Sequence, residues 1–339
     1  MSQPQPIDPR FVGRTPVRPQ KKRHWVRRSI GLVVLLFLLM LICVPLYAWS
    51  RINKVDAMPS GNRPADTPGT TYLLVGSDSR EGLSAEDKKK LGTGSTGGQR
   101  TDTIMLLHVP ESGPTALISL PRDSKVPIPG HGQQKINEAF SYKDGGPKLL
   151  IQTVEGVTGL RVDHYVEVGF GGFASIIDSL GGVEMCLPKA MKDQKAHINL
   201  PAGCQDLNGT NALGYVRARY SDPLGDLGRV QRQREMIGAV AKKAVSFSTF
   251  INPVRYTRLT TSGADALTVE NGMSPTALFK FVQGMRAVSG GSDGVTLTVP
   301  IAGNTTTSGG GAALKWDTPK AKALFQAIKA DKTSGLKSS

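Results

Sequence analysis

Histidine, cysteine and acidic side chains are all scarce in this 339-residue chain, and each shortage removes a class of function. Its five histidines are scattered without triad or ligand spacing, and no H-E-x-x-H, G-x-S-x-G or G-x-x-x-x-G-K-[ST] segment occurs. Zinc-protease, hydrolase-elbow and P-loop chemistries are therefore excluded. The glycine-rich GTGSTGGQ at 92–99 lacks the P-loop lysine and is predicted to be a flexible loop. His164 beside Asp163 reads as a structural pair rather than a base. Cysteines number three, too few and too far from paired histidines for a zinc site. No internal repeat is visible.

Acids are outnumbered, 27 Asp and Glu against 42 Lys and Arg, for a net charge of +15. Such a balance permits nucleic acid, an anionic membrane or phosphorylated substrates as partners, and location decides among them. Residues 30–50, IGLVVLLFLLMLICVPLYAWS, carry no charge, enough at about 1.5 Å per residue to span a bilayer core of roughly 30 Å. Trp25 and Trp49 bracket the run, and Lys21, Lys22, Arg23, Arg27 and Arg28 precede it against only Arg51 and Lys54 beyond it. The asymmetry predicts a type II single-pass anchor in the cell membrane with everything after residue 50 outside. A cleaved signal peptide is the alternative, disfavoured by the length of the run and the lack of a small-x-small site. Residues 1–28 hold eight Arg and Lys against one Asp, or +7, which leaves +8 for the rest. A basic domain outside the cell does not read DNA, so no nucleic-acid partner is expected; lipid headgroups, wall polymers and phosphorylated lipids are.

The cysteines divide in the same way. Cys43 falls in the span, whereas Cys186 and Cys204 lie outside with seventeen residues between them, and an oxidising compartment makes a disulfide the simplest reading. Closing such a loop contributes about 3 kcal/mol in the chain-entropy picture. Further boundaries follow from composition: a basic disordered cytoplasmic tail at 1–28, a transmembrane helix at 29–50, an extracellular linker rich in Pro and Gly at 51–69, one folded domain at 70–331 and a C-terminal tail at 332–339. Within the domain, 71–76, 102–109, 115–120 and 294–300 have strand character, while Pro319 to Ile328 reads as a helix and 303–311 as a loop. Phe170, Phe173, Ile177 and Leu180 follow a helical period and form one apolar face. The mixture predicts an α/β layered domain.

Acid and arginine clusters sit at the strand ends: Asp78 and Arg80 in VGSDSRE, Arg100 and Asp102 in GQRTDTI, Arg122 and Asp123 in SLPRDSKV. Adjacent strands would bring all three to one rim. Acids there suit a hard cation that shares its coordination with phosphate, and arginines suit the phosphate itself. Gly214 to Glu235 adds five arginines and no lysine, a preference for planar forks over point charges. If YVRAR is extended, Arg217 and Arg219 share a face. A helix from Gly228 would align Arg229, Arg232 and Gln233, with Val230, Ile237, Val240 and Ala241 toward a core. Arg234 is expected to pair with surface acids.

The ordered set VGSDSR, RTDTIML, ISLPRDS, KINEAF, VDHYVEVGFGGFASIIDSLGGV, and YVRAR with GDLGRVQRQ resembles the LytR-CpsA-Psr (LCP) family of cell-wall enzymes over roughly residues 70–245. The Cys186 and Cys204 pair and the glycine content are similar to actinobacterial members. The resemblance implies a mixed central β-sheet flanked by helices, with a pocket for a polyprenyl lipid. It also implies a phosphotransferase that moves a glycopolymer from an undecaprenyl (pyro)phosphate carrier to peptidoglycan through a phosphodiester bond. Asp78 and Asp102 would hold Mg²⁺ or Mn²⁺, and Arg80, Arg100, Arg122, Arg217, Arg219, Arg229 and Gln233, with Arg232 beside them, would bind the pyrophosphate. Asp78, Asp102, Arg122, Arg217 and Arg219 are expected to act at the reacting phosphate. Asp123 and Asp226 are both candidates for general base, and the sequence does not choose. Phe170, Phe173, Ile177 and Leu180 would line the lipid pocket or simply pack the core. A lipid- or polymer-binding protein without turnover, or a membrane-anchored regulator, is the competing reading. Teichoic-type, arabinogalactan and capsular polymers would all present the same diphosphate.

Overall fold

A computed structural model describes residues 24–79, 85–91, 101–218, 225–289 and 293–338. The chain divides into two compact units, Met1–Ile42 and Cys43–Ser339. Helix α1, His24–Trp49, is 26 residues long and has a mean hydropathy of 2.9 in its most apolar window, none of which is buried. It starts a turn earlier than the predicted span because Arg27 and Arg28 are as compatible with a helix as the leucines that follow.

Seven strands form the central sheet: β1 (Asn53–Val55), β2 (Thr70–Ser77), β3 (Thr101–Val109), β4 (Thr115–Ser119), β5 (His164–Gly169), β6 (Leu267–Glu270) and β7 (Gly294–Thr298), in the order β1-β6-β5-β2-β3-β4-β7. Pairs β1/β6, β5/β2 and β4/β7 are parallel and the others antiparallel, so the sheet is mixed. Around it lie α2 (Pro147–Thr158), α3 (Phe170–Ser179), α4 (Gly209–Arg217), α5 (Gly225–Ala244), α6 (Pro253–Ala266), α7 (Pro275–Ala287) and α8 (Thr318–Lys329). Several of these helices start from a local device. Asn252, Ser274 and Asp317 each accept the backbone N–H three residues on, and a proline opens the first turn of α6, α7 and α8.

The period of two along each strand sorts its side chains between two cores. Leu73, Val75, Ile104, Leu106 and Ile118 pack against α2 and α8, whereas Tyr72, Met105, Leu107 and Leu117 pack against Phe281 and Met285 of α7. A third cluster joins α3, α4 and α5 to the hairpin Val183–Leu187/Gly203–Leu207. The disulfide Cys186–Cys204 links directly opposed residues of that hairpin.

Several expectations fail where long-range contacts override local composition. Residues 51–69 are no simple linker: β1 adds a parallel edge strand, and Ala57 is fully buried in the core. Residues 303–306 belong to the hairpin Ile301–Thr306/Ala312–Trp316 instead of a loop. The expected tail at 332–339 is packed, with Thr333 buried, Leu336 against the core, and the Ser338 hydroxyl accepting from the Thr296 amide. YVRAR is not extended up to Arg217, because Tyr215 to Arg217 form the last turn of α4. His164 pairs with buried Glu270 at 2.6 Å, whose other oxygen accepts the Tyr165 amide, while Asp163 takes the Thr71 amide.

Candidate active site

Strand register assembles the rim. Antiparallel β2 and β3 pair Gly76 with Thr103 and then Ser77 with Thr101, so Asp102 is the extra residue of a β-bulge. A bulge re-aims the side chain it carries, and Asp102 turns into a cavity beside the sheet. Gly76 allows the close approach: a Cβ there would sit 2.9 Å from Thr103 Cβ. Asp78 lies one residue beyond the end of β2. On the other side β3 pairs Met105 with Ser119 of β4, and Leu120 N donates to Ile104 O at 2.9 Å, which delivers Arg122 to the same rim.

There Arg122 donates through Nη1 to Asp102 Oδ1 and through Nε to Asp123 Oδ2 at 3.4 Å. Lys135 Nζ takes the other Asp123 oxygen at 2.8 Å. Asp102 and Arg122 keep 27% and 21% of their side-chain surface exposed, so the pair is accessible to a ligand. Asp123 is more enclosed, between two cations.

Helix ends supply the second wall. Arg217, at the end of α4, donates to Leu91 O at 3.2 Å, and its guanidinium lies 4.9 Å above the Phe170 ring, a stacked cation that holds its plane. Gln233 donates to Val216 O at 3.4 Å and lines the same cavity. Arg229 is nearly buried on the preceding turn of α5. Arg232, expected among the diphosphate ligands, has another position. Its Nε and Nη2 donate to the carbonyls of Tyr215 and Ala218 at 3.3 and 2.5 Å, closing the C-terminal end of α4, where helix carbonyls lack partners. It thus fixes the turn that carries Arg217. Arg234 makes no ion pair with a surface acid among the described residues: its Nε and Nη1 are buried without hydrogen-bond partners, and burial lowers its pKa against the attraction of exposed Glu235.

The cavity, about 260 Å³, runs between the sheet and α3, α4, α5 and α7. Its polar lining includes Ser77, Asp102, Arg217 and Gln233, and its apolar lining Val166, Ile237, Val240, Phe281 and Met285. Phe170 and Phe173 line it, but Ile177 and Leu180 do not: both are fully buried against Val183 and Leu207 in the third cluster. The apolar stripe of α3 is split between two neighbours, and Ile176 takes the place on the cavity wall. Ile237, Val240 and Ala241 continue the Gln233 stripe down α5 at helical spacing, a pattern visible in the sequence but indistinguishable there from core.

Arg80, Arg100 and Arg219, and the glycine run at 92–99, lie outside the described residues, as does the side chain of Asp226. Among the described residues no three His, Cys, Asp or Glu side chains form a metal cage.

Residues 48–329 match the LytR_cpsA_psr family. The chain belongs to that family. Among relatives of this LCP protein, the probable cell wall biosynthesis protein LcpB of Corynebacterium glutamicum is 47% identical over 302 residues, which cover 89% of this chain and 70% of LcpB. That similarity agrees with an actinobacterial placement. The polyisoprenyl-teichoic acid–peptidoglycan teichoic acid transferase TagU of Oceanobacillus iheyensis is 33% identical over 256 residues, covering 68% of this chain and 75% of TagU. The LytR-Csp2A-Psr enzyme from Actinomyces oris superposes with a TM-score of 0.63 at 23% identity over 82% of this chain and 96% of that one, which establishes the shared LCP fold.

Proposed function

We propose that this LCP protein is a phosphotransferase of the outer membrane-water interface of the cell membrane, anchored by α1, that moves a glycopolymer from a polyprenyl (pyro)phosphate carrier to peptidoglycan. One observation carries the reading: a cavity with a mostly apolar lining that also includes Arg217 and the Asp102 of an aspartate–arginine pair. An isoprenoid tail fits the apolar lining and a diphosphate fits the charged side chains. The transferase name of TagU supports the same substrate class.

In the reaction an acceptor sugar hydroxyl attacks the phosphorus next to the glycopolymer. A new P–O bond forms, the bond to the bridging oxygen breaks, and polyprenyl phosphate leaves. Such transfer needs charge neutralised and groups held in line more than it needs a covalent intermediate. Arg217, whose guanidinium lies over the Phe170 ring, and Arg122 supply donors at that point. Asp78 and Asp102 suit Mg²⁺ or Mn²⁺, since such an ion takes one or two carboxylates and completes its shell with phosphate and water. When bound, it would neutralise diphosphate charge. The hydroxyl proton needs an acceptor. Asp123, which bonds Lys135 and Arg122, and Asp226 are the two candidates for that role.

The test uses the full chain in proteoliposomes with a lipid-linked glycopolymer and peptidoglycan. Asp102→Ala should reduce transfer by ~100-fold, the usual cost of one electrostatic stabiliser, while co-purified polyprenyl phosphate, identified by mass spectrometry, persists. Lipid bound by the unaltered chain with no transfer in the presence of Mg²⁺ would establish a binding protein instead.

A further inference from the structure

The positive charge of the domain is concentrated, and the concentration coincides with exposed apolar side chains. From Met236 to Ser292 the sequence has six basic residues, Lys242, Lys243, Arg255, Arg258, Lys280 and Arg286, and two acids, Asp265 and Glu270. Neither acid offers a free charge. Glu270 is 2% exposed and bound to His164, and Asp265 is held by both ends of the Arg51 fork at 2.6 and 2.7 Å. Lys243 reaches Asp206 at 3.8 Å.

In the same span Phe247, Phe250 and Ile251, on the short helix Phe247–Ile251, and Val254, in the first turn of α6, are all exposed, Phe247 by 78%. Phe279 and Val282 on α7 are exposed as well, although Phe281 and Met285 of that helix are buried. Large apolar side chains set among an excess of cations do not suit water, and they do not suit an ordinary protein partner, whose contact core is depleted of charge. They suit the headgroup boundary of an anionic bilayer, where apolar tips enter the acyl edge and cations meet phosphate.

The course of the chain agrees. The apolar span ends at Trp49, and two residues later Arg51 grips Asp265 near the end of α6, while Ala48 and Ile52 share a buried cluster with Ala264 and Phe281. The helices that carry the exposed apolar residues are thus tied to the point where α1 ends. Helix α5 connects this surface to the site: Gln233, Ile237, Val240 and Ala241 all line the cavity, and Lys242 follows about 13 Å from Gln233 at helical rise.

We propose that Phe247 to Arg258 and the Phe279–Val282 face of α7 dock on the anionic surface of the membrane that holds α1, bringing the apolar cavity wall on α5 close to the lipid. This rests on the reading of the site as one for a lipid-linked substrate. The experiment uses the full chain with Cys43→Ser, so that an introduced cysteine is the free thiol. Phe250→Cys, and separately Phe279→Cys, is labelled with nitrobenzoxadiazole in nanodiscs of phosphatidylglycerol or of phosphatidylcholine. Lys322→Cys on α8, against the other face of the sheet, is the control. In phosphatidylglycerol both face labels should shift to the blue and lose iodide quenching, with the control unchanged. Joint Lys242→Glu, Arg255→Glu, Arg258→Glu and Lys280→Glu should abolish the shift without changing the unfolding midpoint. Should Phe250→Cys destabilise the chain, Val254→Cys gives the same readout. Face labels as quenchable as the control in phosphatidylglycerol would overturn the proposal. So would protection that survives charge reversal or grows with protein concentration, which would assign the face to a second copy or another protein. The readout is independent of transfer: docking without transfer fails the transferase reading alone, and transfer without docking fails only this one.

Discussion

Strand β3 carries an acid–base pair at each end, and the two are opposites in what they leave unfinished. At its start Asp102 meets Arg122 on a partly open rim beside the cavity. Near its end His108 is fully buried: Nδ1 takes the Thr71 hydroxyl and Nε2 takes Asp331 Oδ1, each at 3.0 Å. Asp331 also accepts the Glu111 and Ser112 amides. At that end the bonding capacity is consumed within the chain, and the pair fastens the C-terminal segment to the sheet. At the Asp102 end the pair stays partly exposed beside a cavity, where a ligand can reach it. Residue type does not separate structure from function here; exposure beside a cavity does.

The largest expected effect would break the comparison at its buried end. Asp331→Ala removes three contacts and leaves a buried imidazole N–H and two amides short of an acceptor. At about 1–3 kcal/mol for each group left unsatisfied, and with the amides partly rescued by water, unfolding free energy should fall by about 2–4 kcal/mol in urea titration. Transfer per folded molecule should stay at the level of the unaltered chain. A loss of transfer with stability intact would mean that the C-terminal fastening belongs to the site after all.

The rim should answer in the other currency. Arg217→Lys keeps the charge but loses the planar fork and much of the stacking on Phe170. Charge-assisted hydrogen bonds contribute roughly 1.5–3 kcal/mol each, so transfer should drop by about tenfold or more while the thermal midpoint moves by no more than about a degree or two. Normal transfer by this variant would remove the case for bidentate recognition. A large stability loss would make Arg217 another fastening residue like Asp331.

Much of this contrast was legible in the sequence, and the illegible parts share a cause. Periodicity located β2, β3, β4, β7 and α8, because strand and helix repeats are local properties. Asp102 and Arg122 meet, and Asp78 follows the end of the neighbouring strand, since consecutive strands β2, β3 and β4 are adjacent in the sheet. Family motifs supplied Arg217 and Gln233. Nothing local announced that Asp102 is a bulge residue, because a bulge exists only relative to the partner strand. Nor did the sequence separate Arg232 from Arg229: one turn of α5 apart, they differ only in that the α4 carbonyls lie within reach of Arg232. Ile177 and Ile176 exchanged roles for a similar reason, since the hairpin that covers Ile177 comes from a later part of the chain. Segments 51–69 and 332–339 looked like connectors by composition and became structural through β1, Ala57 and Thr333, contacts made with residues far away in sequence.

The smallest expected effect concerns protonation of the buried pair. Desolvation lowers the His108 pKa below its usual 6.5, against the opposing pull of Asp331 and then Asp163. The unfolded chain therefore binds more protons than the folded one as pH falls below about 6.5, and stability declines with pH in that window. Asp163 works in the other direction. Its pKa is raised by burial, so the folded state gains protons first and is favoured as pH drops, but only in the more acidic range of a carboxyl group. Between about pH 7 and pH 5.5 the histidine should dominate this part of the molecule, with a slope that cannot exceed ~1.4 kcal/mol per pH unit for one proton. Unfolding midpoints of the intact chain and of His108→Gln, measured at several values across that window, should differ in slope, with the variant flatter even if it is less stable throughout. Equal slopes would show that His108 does not titrate differently in the two states, and the buried end of β3 would then be insulated from pH as well as from ligand.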